Sequence, residues 1–146
     1  MRSRAIWVIA ACLAVGFVVV LRAQTERHKA FVITRLYTGP DGLTHAEEVE
    51  AKFTAGNRTD VFKLLETRGA ELHRAAPGSV VDWHPAPRRQ YVITLSGRGE
   101  LEVAGGRKIP VGPGHIELVE DTTGRGHITK VVGNEDRVTL WLPVSE

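Results

Sequence analysis

Residues 82–99 read DWHPAPRRQYVITLSGRG. How this stretch is read decides the fold. Pro85 and Pro87 lack backbone donors and push the residues before them towards extended geometry, which excludes a helix. Prolines also cannot sit in the middle of a sheet, so the segment is an edge or a bulge leading into a strand. If it is extended, His84, Ala86, Arg88 and Gln90 share one face. Tyr91 to Leu95 are then almost all apolar, as in a strand covered on both faces, between two sheets or at a dimer contact. Gly97 and Gly99 end the run.

Outward from this stretch the chain is a series of short strand-like segments with glycine turns between them. Before it stand AFVITRLYT (Ala30–Thr38), the turn GPDG (Gly39–Gly42), HAEEVEAKFT with weaker alternation, AELHRA and SVVDWH. After it come GELEVA, RKIPV, HIELVE, HITKVV and RVTLWLPV. Strands at this spacing predict an all-β sandwich or barrel. One helix is expected, over NRTDVFKLLETRG. Asn57 or Thr59 would cap it, Val61, Leu64 and Leu65 would share its buried face, and Gly69 would end it.

The N-terminus is of another kind. Arg2 and Arg4 precede an unbroken apolar run from Ala5 to Leu21, followed by Arg22 and Ala23. A basic start before an apolar core is the pattern of an export signal peptide or a transmembrane anchor. Residues 1–23 are therefore expected to send the domain of residues 24–146 across a membrane. The product would be periplasmic or otherwise extracytoplasmic, either cleaved or held at the membrane through residues 5–21. Three of the nineteen basic residues lie in this leader, leaving sixteen against seventeen acidic ones in residues 24–146. No nucleic-acid surface is implied. The single cysteine, Cys12, is also in the leader, so the remainder has no thiol chemistry.

The segment HPAPRRQYVITLSG resembles the first motif of the cupin superfamily, H-x-H-x3-E-x6-G. His84 takes the first histidine place, Ala86 the second, Gln90 the glutamate place and Gly97 the closing glycine. GHIELVEDTTGRGH resembles the second motif loosely. Gly114 opens it, Glu120 stands at its proline place, His127 arrives two residues late, and Val131 replaces the asparagine. Pro110, Gly112 and His115 match that motif more tightly but leave too few residues after Gly97 for the intervening strands. DWHPAPRRQY with EDTTGRGH is similar to a subgroup of small single-domain cupins.

The resemblance implies a cupin-type jelly roll and a homodimer. It also implies a site in the barrel for one divalent transition metal (Fe, Mn, Zn or Ni), with His84, Gln90 and His127 as ligands. Gln90 is neutral and Ala86 supplies nothing, so Glu120 or Asp121 would have to bring a carboxylate. Arg88, on the face of His84 and Gln90, would grip an anionic small molecule in the two-pronged way of a guanidinium. Arg89 and Tyr91 would stand beside it, with Arg89 facing away towards Asp82 or Glu120. Each residue also has a plainer role. His84 can fix the proline-rich loop, His127 can open a strand, and both arginines can make ion pairs at a sheet edge. Two functions follow: a mononuclear metal enzyme of dioxygenase or isomerase type, or a metal-free cupin acting as a ligand sensor or scaffold.

Overall fold

The computed structural model describes residues 29–145. The leader expected at residues 1–23 lies outside them. Among the described residues no helix is long and apolar enough to cross a membrane. Residues from Phe31 onward form one compact unit.

Ten strands build it: β1 Val32–Thr38, β2 Thr44–Glu50, β3 Glu71–Ala75, β4 Val80–His84, β5 Gln90–Ser96, β6 Arg98–Val103, β7 Arg107–Val111, β8 Ile116–Val119, β9 His127–Val132 and β10 Arg137–Pro143. Each falls within a strand-like segment of the sequence or within a residue of its ends. They form a six-stranded sheet, ordered β2-β1-β8-β5-β10-β3, and a four-stranded sheet, ordered β4-β9-β6-β7. All pairs are antiparallel except β1 with β8. From β3 on, the chain passes back and forth between the sheets, the winding of a jelly roll.

The core lies between the sheets. Leu36, Val92 and Val119 from one sheet meet Leu101, Val103, Ile109 and Val111 from the other, with Ala86 beside them. Strand β5 has neighbours on both sides, and its first residues, Gln90 to Val92, are buried. Gly97, which ends β5, has φ 71° and lies against the backbone of Asp136 and Arg137. A side chain there would meet main chain, so this close approach needs glycine.

The helix expected over residues 57–69 does not form. The segment is irregular, with a bend at Asn57–Thr59 and isolated bridges from Thr54 to Val61 and from Thr67 to Val144. Its backbone groups are satisfied sideways rather than along a helix. The Leu65 N–H donates to the Tyr91 hydroxyl, and the Glu66 carbonyl accepts from Ser145. The side chains meant for a buried face, Val61 and Leu65, are exposed. Lateral partners outweighed helix propensity, which is a weak preference. The one helical element among the described residues is a 3-10 turn, Ala104–Gly106.

Candidate functional site

A cavity of about 100 Å³ lies between the sheets. The four-stranded sheet contributes Val81, His84, His127 and Thr129 to its lining. The six-stranded sheet contributes Gln90, Val92, Glu117, Val119, Arg137 and Trp141. On β5, β8, β9 and β10 the lining residues are spaced by two or four, as alternation requires. Strand β4 breaks the rule, because Val81 and His84 are three apart. A register shift explains it: Val81 pairs with Thr129 and His84 with His127, so one extra residue is bulged out of β4. The bulge turns His84 inward, a common use of such irregularities beside sites.

The two histidines face each other with ring centroids 4.6 Å apart. His84 Nδ1 is 2.8 Å from the Asp82 carbonyl oxygen. His127 Nδ1 is 2.7 Å from Asp121 Oδ2, which also accepts the Thr44 hydroxyl at 2.8 Å. Asp121 is completely buried, and its Oδ1 has no hydrogen-bond partner among the described residues. The partners on Nδ1 fix both rings and leave both Nε2 atoms to the cavity. Gly126, at φ 77°, packs against the His84 carbonyl and Pro85, which brings His127 beside His84.

Gln90 is buried, and its Oε1 accepts from Arg88 Nε at 3.1 Å. Arg88 also donates to Glu71 at 2.6 Å. A bend over Pro87–Arg89 interrupts the extended geometry, so Arg88 does not line the cavity with Gln90. Arg89 pairs with Glu120, one of the two acidic partners expected for it. The Tyr91 hydroxyl is taken by Leu65. Neither Arg89 nor Tyr91 is among the lining residues, and neither is His115.

Two polar residues of the cavity carry no signal in the motifs. Arg137 Nη2 donates to Glu117 at 2.9 Å and to Thr94 at 2.8 Å, and all three side chains are buried. Burial is the largest influence on Glu117 and holds its pKa above the usual glutamate value, with the Arg137 charge working against it. The positive charge sought at Arg88 is thus present inside the barrel as Arg137. Glu117 could have been suspected from Ile116–Val119, where one charged side chain sits among apolar ones.

The donor set fits a divalent metal poorly. Among the described residues no three His, Cys, Asp or Glu side chains group as a metal site would need. Every carboxylate near the cavity has a fixed partner: Glu117 has Arg137, Asp121 has His127 and Thr44, and Glu120 has Arg35 and Arg89. The Gln90 oxygen is held by Arg88. Two imidazoles alone fall short of the three protein ligands usual in an open metal centre.

Glu120 serves the barrel wall instead. Burial pushes its pKa up, but hydrogen bonds from Arg89 and Arg35, with their charges, outweigh this and hold it below the ordinary 4.5. The stability so gained is complete above the ordinary value and is lost as pH falls through the lowered one. The arginines are partly exposed, so the gain is small, roughly 0.5–1 kcal/mol. Thermal melts from pH 6 down to pH 3 should therefore fall more steeply for the wild type than for Glu120→Gln. Parallel curves would mean that the cluster contributes nothing.

No protein-family model matches the sequence, and no curated protein matches it. Solved structures do resemble it. A cupin 2 conserved barrel domain protein from Salinispora arenicola is 20% identical, with 52% of this chain and 61% of that one covered and a TM-score of 0.43. The match thus spans about three-fifths of the Salinispora protein. A predicted oxalate decarboxylase from Thermotoga maritima is 18% identical, covering 82% of this chain and 100% of that one, with a TM-score of 0.43. The Cnp3 cupin domain of Schizosaccharomyces pombe is 12% identical, covering 84% and 88%, with a TM-score of 0.46. The winding decides: alternate strands close two sheets over a cavity, with His84 ahead of β5 and His127 opening β9. The domain is a jelly-roll barrel. Within this barrel the histidine pair occupies the interior, while the arginine pair belongs to its outer wall.

Proposed function

We propose that this jelly roll is a cupin barrel, a binding module for one small molecule that holds no resident metal. One observation carries the reading. The carboxylates near the cavity are all engaged, while the Nε2 atoms of His84 and His127 and the amide group of Gln90 are left to it. Such groups orient a ligand by hydrogen bonds, and the apolar wall of Val92, Val119 and Trp141 excludes water around it. The volume is well below that of a drug-sized pocket, so the ligand is compact. Fold alone says nothing of chemistry, because one fold hosts many functions.

A metal-assisted enzyme is the second reading, and one feature favours it. Both histidines donate Nδ1–H to an oxygen, as metal-ligating histidines usually do. Calorimetric titration of the apo protein with Zn²⁺, Mn²⁺, Fe²⁺ and Ni²⁺ separates the two. The binding-module reading expects no stoichiometric heat, from the wild type or from Gln90→Glu. Stoichiometric binding that is abolished in His84→Ala and His127→Ala, and tightened in Gln90→Glu by the added charge, would replace it with the metal reading.

A further inference from the structure

From the fixed hydrogen-bonding roles of three side chains we infer the class of molecule the cavity takes: a compact hydroxy acid. The inference rests on the binding-module reading above and deepens it.

Each role is set by a partner that can act in only one way. The Asp82 carbonyl only accepts, so His84 carries its proton on Nδ1 and offers a lone pair at Nε2. The Asp121 carboxylate, already accepting from Thr44, likewise holds the proton of His127 on Nδ1. The Arg88 guanidinium only donates, so the Gln90 oxygen faces it and the NH2 group is what Gln90 has left to offer. Among the described residues neither Nε2 nor the Gln90 NH2 has a further partner in the protein. The cavity therefore presents two acceptors and a donor.

The ligand must match them. Two imidazoles this close suit hydroxyl donors on one small molecule, and the amide suits an oxygen acceptor. Arg137, on the same lining, is charge-paired with Glu117, but its Nη1 has no hydrogen-bond partner among the described residues, and a carboxylate oxygen can accept from it. The cavity volume of about 100 Å³ is small, which favours a compact ligand. A simple carboxylate such as acetate lacks a donor and would leave two desolvated lone pairs unpaired, a costly outcome. This discrimination is built by residues outside the cavity: Asp121 and Arg88 are positioning residues, acting through His127 and Gln90.

The test uses the full-length chain and nuclear magnetic resonance. Imidazole ¹⁵N shifts, recorded without ligand, should show the Nδ1–H tautomer in both His84 and His127. Titration with glycolate or lactate should then shift the His84, His127 and Gln90 signals. Acetate should bind more weakly, on the order of ten-fold or more. Asp121→Asn should move the His127 proton to Nε2 and abolish the preference for glycolate over acetate. Arg88→Met, at a half-exposed position that need not disturb folding, should free the Gln90 amide and weaken glycolate without changing either tautomer. An Nε2–H tautomer in the wild type, or acetate as tight as glycolate, would overturn the inference. So would silence towards both hydroxy acids. If a different compact molecule shifts the same signals, this inference fails and the binding-module reading stands. Stoichiometric metal uptake sinks the reading itself.

Discussion

Gly126→Ala is expected to cost roughly 3 kcal/mol or more, a large share of the stability of a domain this size. Two effects combine. Gly126 sits at φ 77°, where an alanine is strained by about 1–2 kcal/mol. In addition, the new Cβ would fall on the His84 carbonyl and the Pro85 nitrogen, which are main-chain atoms and cannot swing aside. Relief requires β4 and β9 to separate where His84 pairs with His127, so the histidine pair would part as the fold weakens. Urea denaturation measures the first effect, and the loss of contacts between the two imidazole rings measures the second. A variant within 1 kcal/mol of the wild type, with the rings still in contact, would show that this approach is not as tight as described. Gly78→Ala is a useful control, since its φ is also positive but a Cβ there meets nothing.

The second large effect concerns the ion pair inside the barrel. Glu117→Ala would leave the Arg137 guanidinium buried with Thr94 as its remaining partner. Removing one member of a buried pair costs about 3–5 kcal/mol, because the other charge is left uncompensated. Glu117→Gln should cost less, since its amide oxygen can still accept from Arg137. Replacing both, as Glu117→Leu with Arg137→Met, should lie within about 1 kcal/mol of the wild type, because the desolvation of both charges disappears with them. Chemical denaturation of the three variants and the wild type gives the comparison. If the double replacement is as damaging as the single one, packing rather than charge holds these residues.

The strands were legible because alternation and glycine turns mark them directly, and the proline pair placed the loop before β5. The segment over residues 57–69 was misread because Val61, Leu64 and Leu65 have helical spacing, while the groups that hold it, Tyr91 and Ser145, are far away in the sequence. His84 stood at a motif place and His127 two residues beyond one, and the structure brings them together. Arg88 did not follow, because face-sharing assumed an extended chain through Pro87 and a bend intervenes. Glu117 and Arg137 escaped for a different reason. On β8 the apolar Ile116 and Leu118 look like the inward face, yet they are half-buried on the outside while Glu117 and Val119 point in. Where a strand is covered on both faces, apolar residues no longer say which side is the interior.

Strand β4 ends the four-stranded sheet, so it is hydrogen-bonded along one side, to β9, and its ladder is broken by the bulge that turns His84 inward. Half of the histidine pair thus rides on the part of the barrel with the fewest cross-links. Local opening costs least where backbone pairing is sparse. The edge strand most open to local unfolding therefore also carries His84. A molecule held between His84 and His127, as proposed, would tie this loosely paired edge to the strand beside it.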